Sequence, residues 1–78
     1  MQLIYAHDYR SASLFARQND LMPGDWRWIN GPRAVSDYPR AEVYKIPRWN
    51  SHPLREAIDA AVQRASKKRR LGPITDYS

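Results

Sequence analysis

Apolar positions in the chain fall into short clusters with two different periods. Leu3-Ile4-Tyr5-Ala6 is an almost unbroken apolar run. Such a run predicts a strand over residues 2–6 that is covered on both faces. Asp8 follows as an N-cap, its carboxylate placed to accept from the free N–H groups of a first helical turn. Ala12, Phe15 and Ala16, with Leu14 on the flank, then form the inner stripe of a helix running to about Asn19. Met22-Pro23-Gly24-Asp25 reads as a turn. Trp26-Arg27-Trp28-Ile29-Asn30 alternates like a second strand, with both indoles on one side and Arg27 on the other. Residues 33–39 predict one helical turn closed by Pro39. Ala41 to Ile46 predicts a third strand, with Val43 and Lys45 on one side and Glu42, Tyr44 and Ile46 on the other.

The cleanest periodicity is in the last helix. Leu54, Ala57, Ile58, Ala61, Val62 and Ala65 follow an i, i+3, i+4, i+7 stripe. Ser51 or His52 is the expected cap, Pro53 sits in the first turn, and Gly72-Pro73 is the expected stop after a helix ending near Arg70. The element order β-α-β-short α-β-α implies an α/β fold. It has a small three-stranded, mainly parallel sheet and two main helices. Residues 1–66 form the compact domain, and residues 67–78 form a basic helix end and C-terminal tail.

Composition narrows the function classes. A chain of 78 residues makes one small domain, and with no cysteine neither disulfides nor thiolate metal sites support it. No apolar run approaches the roughly 20 residues of a membrane span, and the start lacks a signal-peptide pattern, so a cytoplasmic protein with no membrane partner is expected. The net charge of +5 is uneven. Residues 1–63 hold eight Lys/Arg against seven Asp/Glu, whereas residues 64–78 hold five against one. Charge arguments about partners therefore attach to the C-terminal end.

Candidate sites follow. The corner His7-Asp8-Tyr9-Arg10 lies beyond the carboxyl end of the first strand, where open α/β sheets bind ligands, and offers His7, Asp8 and Arg10 to an anion. It has no glycine with which to cradle phosphate, so a helix start is the simpler reading. His7 and His52 lack a metal-ligand spacing, and no nucleophile–base pair stands out. No enzyme activity, catalytic residue, cofactor or metal is assigned. Arg64, Lys67, Lys68, Arg69 and Arg70 place five cations in seven residues. With Arg27 and Arg48, and Arg40 nearby in sequence, they are the candidate contacts to DNA or RNA phosphates. A solvated helix end is the equal alternative. Trp26 and Trp28 suit base stacking or, more simply, packing under a helix. Trp28, Tyr44, Trp49, Leu71, Ile74 and Tyr77 are the candidate contacts to a protein partner.

The run DYRSASLFARQNDLMPGDWRWI, followed by YKIPRWNSHPLREAIDAAV, resembles a family of small proteins encoded by bacteriophages of actinobacteria. In that family a short strand enters a D-Y-R-x-A-x-x-x-A-R helix, a Trp-Arg-Trp strand follows, and a later strand ends near a tryptophan. The resemblance spans residues 3 to about 65. It implies a small α/β accessory protein, similar to a trimmed P-loop ATPase sheet without its phosphate loop, with no established activity. This chain carries Gly31-Pro32-Arg33-Ala34-Val35 where members often have a Leu-Arg-Gly-Leu-type turn. The leading expectation is thus a non-enzymatic accessory protein that binds and modulates a host or phage protein. The alternative is a nucleic-acid-binding accessory protein using the basic C-terminal helix and tail. A homodimer through a sheet edge is compatible with either.

Overall fold

A computed structural model describes residues 1–77. Four strands form one sheet, all parallel, in the order β2-β1-β3-β4. They are β1 (Gln2–Tyr5), β2 (Trp26–Trp28), β3 (Glu42–Lys45) and β4 (Ile74–Asp76). The helices are α1 (Tyr9–Gln18), α2 (Pro32–Asp37) and α3 (Arg55–Lys67), with a single 3-10 turn at Trp49–Ser51. The α/β class is as the sequence predicts, but the strands number four rather than three. The fourth comes from the C-terminal segment. Its three residues are all exposed and Ile74 is the one apolar residue among them, too little for the run or alternation by which a strand is recognised.

Strand alternation sorts the core into two layers. Leu3, Tyr5, Ile29 and Val43 pack with Ala34 and Val35 of α2 and Ile58 and Ala61 of α3. Ile4, Ala6 and Ile46 pack with Ala12 and Ala16 of α1, flanked by Phe15, Trp26, Trp28 and Tyr44. Both β2 indoles are thus half-buried under α1, on the side opposite exposed Arg27. The strong apolar run of β1 has its cause here, because β1 lies between β2 and β3 with a helix layer on each face.

Several local expectations shift. Helix α3 begins at Arg55, not at Pro53, and Leu54 and Ala57 are exposed. The turn before it is organised by His52. This ring is 5% exposed; Nδ1 accepts from the Leu54 N–H at 2.9 Å, and Nε2 lies 2.9 Å from the Ile29 carbonyl oxygen. Those two partners require the tautomer in which Nε2 carries the proton and donates to Ile29. His52 is therefore a fully engaged structural histidine that ties the end of β2 to the start of α3.

Helix ends also differ from expectation. Helix α3 stops at Lys67 because Arg69 turns into the left-handed region, with φ 53°; Arg70 N–H then bonds the Ala65 carbonyl at 2.8 Å and Arg69 N–H that of Ser66 at 3.1 Å. Helix α1 ends in the same Schellman arrangement, with Asp20 left-handed at φ 56° and Leu21 N–H on the Ala16 carbonyl. Gly72 does not stop α3. It lets the chain pass against the start of β3: a Cβ there would lie 2.8 Å from both the Arg40 and Ala41 carbonyl oxygens. That close approach allows Gly72 N–H to bond the Ala41 carbonyl (2.8 Å) and Val43 N–H to bond the Pro73 carbonyl (2.9 Å). Arg40 N–H to the Arg70 carbonyl (2.6 Å) and Tyr77 N–H to the Lys45 carbonyl (2.8 Å) complete the strap at its two ends.

Gly72→Ala tests this packing. The added methyl meets backbone rather than a movable side chain, so the variant is expected to lose about 1–3 kcal/mol. Urea denaturation should show a lower midpoint. Hydrogen exchange should show lost protection at the Val43 and Tyr77 amides first. Unchanged protection at both amides would refute the strap.

Candidate nucleic-acid interface

A groove of about 690 Å³ lies between α2, α3 and the start of β3. Its walls are Val35, Ser36, Pro39 and Arg40 on one side and Ala61, Arg64, Ala65, Lys68 and Arg70 on the other. The helix faces are brought together by the Leu3/Val43 core layer, in which Val35 and Ala61 are buried members. Small residues at 61 and 65 leave room between the helices, and the longer side chains around the mouth are all cationic. Arg64 on α3 and Lys68 at its C-cap stand one turn apart, the spacing at which two side chains share a face. Arg70 and Arg40 are drawn together by the backbone bond between them.

The electrostatics of the groove are one-sided. Four cations line it and no carboxylate does. All four are solvent-exposed residues, and none enters an ion pair among the described residues, where the salt bridges are His7–Asp8 and Arg55–Asp59. Ser36 is the one hydroxyl side chain in the lining, which contains no histidine or carboxylate. The arrangement suits holding an anion, through charge-assisted contacts from guanidinium forks.

Backbone conformation adds to this. Among the described residues, four non-glycine residues have positive φ: Asp20, Arg40, Arg48 and Arg69. The left-handed region costs an L-residue roughly 1–2 kcal/mol, and glycine relieves it. Three of the four positions nevertheless hold arginine. Arg40 lines the groove, and Arg69 lies between two residues that do. The α3 C-terminal dipole favours Lys67 and Lys68 whatever the function. It gives no account of Arg40, which enters from the β3 side.

Of the sequence candidates, Arg64, Lys68 and Arg70 meet in the groove, while Lys67 and Arg69 are exposed outside its lining. Arg27 is on edge strand β2, its Nε donating to the Tyr38 hydroxyl at 3.1 Å. Arg48 follows β3, at the opposite end of that strand from Arg40. Arg40, Ser36 and Pro39 join the site only through the fold. The positive run at 64–70 signals half of the groove, and nothing local to Arg40 links it to that run.

The aromatic and apolar candidates are largely engaged within the domain. Trp49 packs on Tyr5 at 5.2 Å between ring centroids, with Lys45 Nζ 3.7 Å over its ring. Trp28 donates from Nε1 to the Ala6 carbonyl at 3.0 Å and lies beside His52. Tyr44 and Tyr77 form a cluster with Phe15. Burial and the nearby Glu42 carboxylate, which accepts its hydroxyl hydrogen bond, raise the Tyr44 pKa. Leu71 is half-buried against the core, whereas Ile74 and Tyr77 keep 42% and 48% of their surface in solvent. A second groove of about 520 Å³ runs between α3 and β3–β4. Tyr5, at its base, donates to Asp59 Oδ1 at 2.9 Å; its burial, reinforced by that carboxylate, raises its pKa.

At the carboxyl end of β1, Asp8 Oδ1 accepts from the Ser11 N–H at 2.8 Å and Asp8 Oδ2 lies 3.3 Å from His7 Nε2. The protein's own carboxylate thus occupies the donors that a bound anion would use. His7 Nδ1 is buried with no hydrogen-bond partner. Arg10 contributes as one of the charges that lower the Asp8 pKa, after the dominant Ser11 bonds. Among the described residues, no group of three or more His, Asp or Glu side chains is placed to hold a metal ion, and no helix is long and apolar enough to cross a membrane.

The Asp8 cap makes a pH prediction. Its folded pKa lies below the unfolded value, so its contribution to stability is full above about pH 4 and is lost as pH falls through the lowered value. Thermal melts between about pH 2 and pH 7 should show an acid decline that flattens in Asp8→Asn, which keeps an oxygen acceptor but cannot titrate. Asp8→Ala should lower Tm at neutral pH as well. An acid limb identical in wild type and Asp8→Asn would remove Asp8 from the account. Comparison of the chain with protein-family models, with curated proteins and with solved structures returns no match in any of the three.

Proposed function

We propose that the protein binds nucleic acid through its phosphate backbone, using the groove between α2 and α3. One observation carries this reading: Arg40, Arg64, Lys68 and Arg70 converge on one concavity from two separate parts of the chain, with no carboxylate in its lining. Clustered cations release counterions from a polyphosphate, which gives affinity without sequence readout. The groove walls between the cations are mostly aliphatic, with Val35, Pro39, Ala61 and Ala65. The candidate contacts for a protein partner, the leading expectation from sequence, are mostly taken up in internal packing and so support that expectation less.

Fluorescence anisotropy with a labelled DNA probe over a salt series tests the reading. Affinity should fall steeply with salt, and removal of any one groove cation should reduce the log–log slope by about 1. Arg64→Glu and Lys67→Glu change the net charge equally, but only Arg64 lines the groove. The first should weaken binding at least several-fold more than the second. Arg40→Gly separates function from fold: it relieves a left-handed backbone, so Tm should hold or rise while affinity drops. Equal losses at 64 and 67, or full affinity in Arg40→Gly, would place the binding surface elsewhere.

A further inference from the structure

Resting on that reading, we infer that the cations around the groove contact the backbone of a nucleic-acid double helix rather than that of a single strand. Proteins that hold single strands pair a basic channel with aromatic rings on which successive bases stack. This chain has three Trp, five Tyr and one Phe, and none of them lines the groove. Exposed Tyr9, stacked on Trp26 at 5.8 Å between centroids, belongs to the α1 side of the sheet. The groove belongs to the α2–α3 side. The sheet separates them, so a strand seated among the cations has no ring within the same site to stack on. Nothing there offsets the cost of ordering a flexible strand.

The groove's features suit a regular phosphate array instead. Arg64 and Lys68 are fixed one helical turn apart, about 5–6 Å between their Cβ atoms. Arg40 and Arg70 are held in register by the 2.6 Å bond between Arg40 N–H and the Arg70 carbonyl. A duplex presents one charge per about 1.7 Å of axis, twice the density of either strand alone. A rigid patch of four cations therefore gains more from a duplex.

The test uses the full chain, a DNA duplex of about 20 base pairs and each of its component strands, with the length chosen to exceed the patch several-fold. The duplex should bind roughly tenfold or more tightly than either strand. Its slope of log K against log salt should lie near −3.6, about 0.9 for each of four cations. Tryptophan emission should not change on duplex binding, because Trp26, Trp28 and Trp49 are outside the groove. A single strand that binds as tightly as the duplex, or quenches tryptophan, would overturn the duplex inference while leaving the groove testable by Arg64→Glu. Duplex binding that Arg64→Glu and Arg40→Gly leave intact, or no binding of any probe, would overturn both.

Discussion

Burial of β1 on both faces is the constraint around which the rest of the structure is arranged. Leu3, Ile4, Tyr5 and Ala6 are each 0–1% exposed. Removing a large aliphatic side chain from water contributes about 1.5–3 kcal/mol, so this strand alone supplies a substantial share of the stability of so small a domain. A strand can be dry on both sides only with a helix layer on each face and a paired neighbour at each edge. That requirement places α1 against Ile4 and Ala6, α2 and α3 against Leu3 and Tyr5, and β2 and β3 on the flanks. Even the one hydroxyl carried into this interior, on Tyr5, reaches Asp59 and the Arg55 carbonyl at the α3 surface.

The two ends of the sheet are finished differently. At the carboxyl ends of β1 and β2, polar groups are largely satisfied internally: Asp8 caps α1, the Trp28 indole takes the Ala6 carbonyl, and His52 takes the Ile29 carbonyl. The end where open α/β sheets commonly bind ligands is here knitted into the fold. At the amino end of β3, the chain returning from α3 brings Arg70 beside Arg40, at the groove between α2 and α3. Cations gather there with no carboxylate lining the space. The proposed nucleic-acid reading rests on those four cations converging on one groove.

Left-handed arginines are the main departure from an economical backbone. The three glycines do not occupy the left-handed positions, which hold Asp20, Arg40, Arg48 and Arg69. Gly72 is spent instead on close approach, where a side chain would strike the β3 backbone. At Arg40 the chain carries a backbone cost beside the groove, whereas the left-handed Arg69 is the turn that closes α3, as Asp20 closes α1. For Arg48, at the other end of β3, the structure provides no comparable account.

Local chemistry determined much of the fold. The doubly apolar run at residues 3–6, the alternation of Trp26-Arg27-Trp28 and the inner stripe of α1 are set by nearest-neighbour geometry, which sequence records directly. The Asp8 cap was legible for the same reason, since an N-cap and its donor are three residues apart. Tertiary structure alone decided what depends on distant segments. Strand β4 has no apolar pattern and exists because Gly72 lets the chain pair with β3. His52 is structural because Ile29, 23 residues away, offers it a carbonyl. The basic run at 64–70 was visible as charge, but only the β3–β4 pairing brings Arg40 to Arg70, because their proximity is made by backbone hydrogen bonds between segments 30 residues apart, which leave no trace in local composition.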